Sequence, residues 1–432
     1  MESDSELIVR PARGVRGSVS LPGDKSISHR YAMLAAIAEG PSRLENYSTG
    51  ADCASTLSCL RSLGVKWERK DPSRNAIEVQ GSGPSLTAPS EPLNCGNSGS
   101  TIRMLSGIVA AQKFSSEMAG DESLSRRPME RVITPLTAMG ANIASQNGRP
   151  PLRITGTALK GIHYSMPVAS AQVKTCLLFA GLLAEGDTRI EEPLRTRDHG
   201  EVALRAFGAQ VERNGKEVKI RSGQRLRGIE ARVPGDLSSA AFFLCAAALF
   251  PGSQLTIANL LMNPTRARLL DILMQMGLRV SVTQLEEVHG ELVGTLQVEG
   301  GGLTGTIIAG ADTAALIDEI PVLAAIAPYT EQGIEVHDAK ELRVKESDRI
   351  ASLAANLRAM GAHVDEREDG LKIPGAQSLR GAEVQSFGDH RIAMAFSIAA
   401  LKAQGETLIR GSEYAAISYP AFFSVLEELV ER

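Results

Sequence analysis

The chain has 432 residues, 43% of them hydrophobic and only 4% aromatic, which is more than one domain ordinarily holds and enough to bury sizeable cores. Lys and Arg number 46 against 50 Asp and Glu, a net charge of −4, so there is no global basic bias toward nucleic acid or an anionic membrane. The five cysteines, Cys53, Cys59, Cys95, Cys176 and Cys245, stand in no CxxC or Cys/His spacing; this argues against zinc and reads as buried free thiols in a reducing compartment.

The opening MESDSELIVR is acidic and polar, with the character of neither a signal nor a transit peptide, so the cytoplasm is the expected location. ELIVR reads as a first strand and GSVSLPG follows it. PGDKSISHR then places Gly23, Asp24, Lys25 and Ser26 at a helix start, with Arg30 one turn later. Free backbone N–H groups at such a start favour anions, although the Walker glycine pattern is missing. LRSLGV from Leu60 ends a helix on a glycine, and VKWERK with IEVQG alternates as a hairpin.

The same sequence of signals recurs. CGNSGSTIR offers Asn97, Gly99, Ser100 and Arg103 at another helix start, and DESLSRRPM adds Arg126 and Arg127. LTAMGA from Leu136 and the pair ANIASQ and PLRITG follow. MPVASAQVK supplies Ser170 and Gln172 as neutral hydrogen-bonding groups, with Lys174 as a further cation, and RTRDHGE supplies Arg197. LRAFGA from Leu204 precedes the hairpin AQVERN and EVKIRSG. PGDLSSAAF opens the most apolar stretch, AAFFLCAAALF at 240–250, which is too short to span a bilayer and reads as a buried helix. LMQMGL from Leu273 and LRAMGA from Leu357 complete five copies, and LEELV from Leu426 is a truncated sixth that lacks its hairpin.

The unit is therefore read as capped helix, glycine, hairpin, with three units before about residue 233 and three after. Helices apolar on every side imply near-complete burial, with sheets outside. The predicted fold is α/β with two similar lobes. The early strands pair with the last unit, giving a discontinuous domain of 1–22 plus 234–432 and a second domain of 23–233.

The later units differ in kind. LIDEIP supplies Asp318 and Glu319, LRVKESDRI supplies Lys345, Glu346, Asp348 and Arg349, and FGDHR supplies Asp389, His390 and Arg391. Carboxylates beside cations are what acid–base work on an anionic substrate requires. Lys345 and Arg349, four apart, can face one ligand if helical. Taken singly, each of these segments is better explained as a cap, a solvated charge or an intrahelical ion pair, and His390 as a structural residue. Their recurrence at one point of most units is what carries weight.

PGDKSISHR, GNSGSTIR, RPM, SAQVK, PGDLSSAAF, MNPTR, LRVKESDR and DHRIAM occur in this order along essentially the whole chain. On these motifs the chain resembles the 5-enolpyruvylshikimate-3-phosphate (EPSP) synthase family. The resemblance implies two lobes, each of three βαβαββ units in an inside-out α/β barrel, with the active site in the cleft between them. It implies transfer of the enolpyruvyl group of phosphoenolpyruvate to shikimate 3-phosphate by addition and elimination, without metal or redox cofactor, by a monomer. Lys25, Ser26, Arg30, Ser170, Ala171, Gln172 and Arg197 would then hold shikimate 3-phosphate, Lys25 also lying near phosphoenolpyruvate. Asn97, Gly99, Arg127, Arg349 and Arg391 would line the phosphoenolpyruvate side. Asp318, Glu346 and Lys25 would be the catalytic proton-transfer groups, and Lys345 matches a further site position. Of Arg126 and Arg127, the one directly before Pro128 is preferred.

Departures from the family pattern point both ways on glyphosate. AAISYP has Ile417 near the place where many members carry Lys, as in a tolerant subclass, whereas Gly99 is the residue of sensitive members. Two competing readings are a UDP-N-acetylglucosamine enolpyruvyl transferase, whose loop cysteine is missing before RRPM, and a non-catalytic phosphate-metabolite binder, which would lack Asp318 and Glu346.

Overall fold

The computed structural model describes residues 5–432, so the first four residues of the predicted discontinuous domain lie outside the described residues. The chain divides into two compact units, one of residues 1–22, 234–287 and 292–432, the other of 23–233 and 288–291.

The five Leu-to-Gly segments end helices in one way. Gly64, Gly140, Gly208, Gly277 and Gly361 all have φ between +85° and +114°. In each, the residue after the glycine donates its N–H to the carbonyl of the repeat's leucine: Val65 to Leu60, Ala141 to Leu136, Ala209 to Leu204, Leu278 to Leu273 and Ala362 to Leu357. The glycine N–H bonds one carbonyl further on. This is the Schellman motif, in which the leucine and the apolar residue after the glycine also meet in space.

The predicted unit of capped helix, glycine and hairpin needs correction. The capped helix and the glycine-terminated helix are two helices with a strand between them: Lys25–Ile37, then Glu39–Glu45, then Ala51–Ser62. Gly40 and Pro41 stop the first helix, and the strand buries only Ser42 and Leu44 fully, too few to show an alternation in the sequence. The two helices differ in environment. In Leu237–Leu249 all thirteen residues are buried, whereas Ala51–Ser62 keeps an exposed face.

In the unit built on 23–233, three four-stranded sheets repeat one topology. His163–Ser165 runs parallel to Thr188–Glu191, which is antiparallel to Glu217–Ile220, which pairs with Val211–Asn214. Leu93–Asn94 with Ser115–Ala119, Arg149–Thr155 and Asn142–Gln146 repeats it. So does Glu230–Arg232 with Glu39–Glu45, Ala76–Ser82 and Lys66–Asp71.

The other unit repeats the topology with Thr306–Ile308, Ile334–Val336, Gly370–Ile373 and Asp365–Arg367. Its second sheet takes Gly14–Val19 as the strand parallel to Gln254–Leu261. In its third, Glu383–Gln385 runs parallel to Thr407–Arg410, and Glu6–Val9 supplies the antiparallel strand that the truncated last repeat lacks. All five cysteines are buried and free, and burial pushes the Cys176 thiol up to about 12. Among the described residues no helix is long and apolar enough to cross a membrane.

The glycine ends yield a graded prediction. A Cβ on Gly361 meets nothing within 4 Å, so Gly361→Ala should cost only the left-handed backbone strain, roughly 1–2 kcal/mol. On Gly277 it would lie 2.1 Å from the Gly302 carbonyl oxygen, so Gly277→Ala should cost clearly more. Urea denaturation midpoints of the two variants check the order.

Candidate active-site residues in each unit

In the unit built on 23–233, polar groups gather at the starts of three buried helices. Asp24 caps Lys25–Ile37, its Oδ1 accepting from Ile27 N at 2.9 Å. Lys25 Nζ lies 2.9 Å from Asp52 Oδ2, in the first turn of Ala51–Ser62. The buried Arg30 guanidinium donates twice to Thr175 Oγ1, at 3.1 and 2.9 Å, and to the Ser26 carbonyl at 2.8 Å. Burial, aided by Arg197 and opposed by Asp24 and Glu201, pushes Arg30 down to about 10, so it stays cationic at neutral pH. Burial together with Lys25 and Arg30 holds His29 well below the imidazole range, and its neutral ring lies 2.6 Å from Thr56 Oγ1 through Nδ1.

Ser98 caps Gly99–Val109. Beside this start, Asn97 accepts from Arg127 at 2.6 Å and donates to Asp121 at 2.7 Å. Arg127 also donates to Ser123 Oγ at 3.0 Å. Arg126 is exposed and pairs with Glu122 instead. A Cβ on Gly99 would stand 3.3 Å from a guanidinium nitrogen of both Arg103 and Arg127. The missing side chain lets two cations approach one helix start.

Ser170 caps Ala171–Leu183, and Gln172 bridges this start to the previous one. Its Oε1 accepts from Arg103 at 2.8 Å and its Nε2 donates to Ser100 Oγ at 2.9 Å. Ser26, Ser170, Ala171, Gln172 and Arg197 are half-buried. Lys174, read from sequence as a further cation for a ligand, is fully buried, 3.1 Å from Glu192 and 2.8 Å from Glu201. Its charge is taken up inside the protein.

In the other unit, Asp318 lies between the helices Ala311–Leu316 and Ile320–Ile326. Lys345 Nζ, Arg349 and Arg391 stand 3.8, 3.6 and 3.9 Å from its Oδ1. Arg391 also donates to the Asp318 carbonyl at 2.8 Å. Lys345 and Arg349 do not share a helix: Lys345 ends the short turn Lys340–Val344 and Arg349 opens Arg349–Ala359. They meet at Asp318 through the bend between those elements.

Arg349 is the buried hub of this group. It donates to Glu346 at 2.7 Å and to both oxygens of Asp389, at 2.8 and 3.3 Å. Burial alone would lower its pKa, but Asp389, Glu346 and Asp318 outweigh this and raise it, so the charge is permanent. Asp389 also caps His390–Ala400, accepting from Arg391 N at 2.9 Å, and His390 is buried in that helix's first turn. Among the described residues no cluster of His, Cys, Asp or Glu is arranged to hold a metal ion.

Two participants received no role from the sequence. Arg103 lies inside a motif already singled out, and its spacing from Gly99 was the available signal. Asp52 carries none, since an acidic residue in a first helical turn is ordinary.

A sequence model of EPSP synthase (3-phosphoshikimate 1-carboxyvinyltransferase) matches residues 9–426. The chain belongs to the EPSP synthase family. It is similar to the 3-phosphoshikimate 1-carboxyvinyltransferase of Koribacter versatilis, 60% identical over 98% of this chain and 99% of that protein. The protein of the same name from Solibacter usitatus is 53% identical over the same shares. The solved EPSP synthase of Acinetobacter baumannii superposes with a TM-score of 0.87 at 41% identity, covering 99% of this chain and 98% of that one. The fold is thus the two-lobed α/β fold of EPSP synthases, and the family match selects the first of the three readings weighed from sequence.

The hub residue is testable by stability. Asp389→Asn keeps a capping oxygen but removes the charge that balances Arg349, and should cost about 3–5 kcal/mol in chemical denaturation. Ser347→Ala, which removes a hydrogen bond of 3.2 Å to the same carboxylate, should cost about 1 kcal/mol.

Proposed function

We propose that this chain transfers the enolpyruvyl (1-carboxyvinyl) group of phosphoenolpyruvate to the 5-hydroxyl of shikimate 3-phosphate and releases phosphate, as a cytoplasmic monomer. The observation that carries the reading is the convergence of Lys345, Arg349 and Arg391 on one Asp318 oxygen, with Glu346 held by the same Arg349. A base must be oriented before its substrate arrives, and three cations around one oxygen hold this carboxylate in place. The same cations neutralise the carboxylate and phosphate of phosphoenolpyruvate, bidentately where a guanidinium is presented edge-on.

Arg30, Arg197 and Lys25 supply positive charge to shikimate 3-phosphate, while Ser26, Ser170, Ala171 and Gln172 supply neutral contacts at helix starts. Asn97, Gly99 and Arg127 serve phosphoenolpyruvate with Arg349 and Arg391. Asp318 orients the 5-hydroxyl and takes its proton as the oxygen adds at C2 of phosphoenolpyruvate. Glu346 and Lys25 are the candidates for protonating the methylene carbon, which becomes the methyl of a tetrahedral ketal. Loss of phosphate and of one methyl proton restores the double bond as an enol ether, so the atoms balance without a redox partner.

Glu346→Gln should lower phosphate release at least about 100-fold, the ordinary worth of a positioned acid–base group, while calorimetry finds shikimate 3-phosphate affinity within about twofold of wild type. Near-normal turnover would remove Glu346 from the chemistry. Gly99→Ala should raise the KM for phosphoenolpyruvate severalfold and that for shikimate 3-phosphate by less, because the new methyl crowds Arg127 directly and reaches Gln172 only through Arg103. Initial rates with each substrate varied in turn check this.

A further inference from the structure

Around the chain segment that carries Arg197, four charges on four elements form one set. Lys174 is in the first turn of Ala171–Leu183, Glu192 follows the strand Thr188–Glu191, Glu201 is in the first turn of His199–Ala206, and Arg213 is on Val211–Asn214. Lys174 stands 3.1 Å from Glu192 and 2.8 Å from Glu201, and Arg213 donates to each of the two carboxylates at 2.6 Å. Two cations meet two anions, so the set needs no substrate charge to balance it. Burying such a set gains little over apolar side chains of the same volume. What charges add is direction.

Glu192 spends that direction on one turn. Burial by itself would raise its pKa, but Lys174 and the hydrogen bonds from Thr196 and Arg213 hold it below the usual carboxylate range, so it is an acceptor at every lone pair it can offer. Its Oε1 accepts the Thr196 backbone N–H at 3.0 Å and the Thr196 hydroxyl as well. Lys216 Nζ ties the same turn down at the Pro193 carbonyl, 2.7 Å away. Leu194 and Arg195 between these ties are exposed, and Arg195 donates to Asp198 at 3.1 Å.

The residue after Thr196 is Arg197, and Glu201 four residues on returns the chain to the same charge set. Arg30 feels both Arg197 and Glu201, and it bonds Thr175, the neighbour of Lys174. Gln172 and Arg197 therefore lie on or between the elements that the four charges join, and Arg30, from the helix Lys25–Ile37, is bonded to one of them.

We propose that Glu192 is a positioning residue for Arg197, holding the 192–198 turn so that this guanidinium is set for the phosphate of the acceptor substrate. The inference rests on the assignment of Arg197 made above. It is tested with Glu192→Gln, Thr196→Val, Arg197→Ala and the double variant E192Q/R197A, reading shikimate 3-phosphate affinity by calorimetry and kcat at saturating substrates. Each single variant should weaken shikimate 3-phosphate binding, E192Q and R197A by about tenfold and T196V by less, with kcat of E192Q and T196V within about twofold of wild type. The double variant should bind no more than about twofold weaker than the weaker single, because the two residues act as one. T196V leaves all four charges in place and carries the test should E192Q fold poorly.

Weakened binding in R197A beside unchanged binding in T196V and in folded E192Q would overturn this inference alone. So would losses that multiply in the double variant. Unchanged binding in R197A would overturn the assignment of Arg197 and the inference with it.

Discussion

A helix buried on every side cannot give its first N–H groups to water. The polar groups at the buried helix starts are arranged around that constraint. Five of the deeply buried helices meet it with a side-chain cap, from Asp24, Ser98, Ser170, Asp236 and Asp389. The sixth start, Ile320–Ile326, instead has a proline in its first turn, which has no N–H to satisfy. Its Glu319 is freed from capping and bonds Ser238 and Arg266. A cap satisfies one or two of the orphan donors. The remainder make each start a natural seat for an anion, and the chain places its Lys, Arg, Asn and Gln residues there.

The two units handle charge differently. In the unit built on 23–233, the fully buried Lys174 is neutralised from within by Glu192 and Glu201, while the half-buried Lys25 pairs with Asp52 and keeps part of its surface open. Arg30 hydrogen-bonds the uncharged Thr175 and Ser26 oxygens, and Asp24 and Glu201 act on its charge from further off. In the other unit carboxylates and cations alternate around one hub, Arg349, which touches Asp318, Glu346 and Asp389 at once. The first arrangement suits recognition of fixed negative charge, and the second suits proton transfer.

How much of this was legible in the sequence follows from the range of each interaction. The five glycine ends could be read because a Schellman motif is written within six consecutive residues, from Leu60 to Val65 in the first case. The caps were legible for the same reason, since Asp24 serves Ile27. The strand Glu39–Glu45 was not, because it carries a glycine and a proline and too few buried positions to alternate. Lys174 looked like a free cation because its partners lie on other elements, and nothing local to it marks them. Lys345 and Arg349 were read as facing one ligand if helical, and their meeting at Asp318 was not foreseen. A helical spacing of four was the local guess, whereas a bend and a third segment bring them together.

The strand Glu6–Val9, which completes the last sheet, has a consequence for the order in which the chain can fold during synthesis. The sheets formed within 39–232 have all their strands once residue 232 has left the ribosome, so that unit can begin to close while the rest is still being made. The strands Glu6–Val9 and Gly14–Val19 are made first, yet their partners Thr407–Arg410 and Gln254–Leu261 are made much later. The strand Glu6–Val9 must stay unpaired until residues 407–410 have been made, with its edge exposed to wrong partners meanwhile. Its short length of four residues and the glutamate at its start are devices that blunt a bare strand edge.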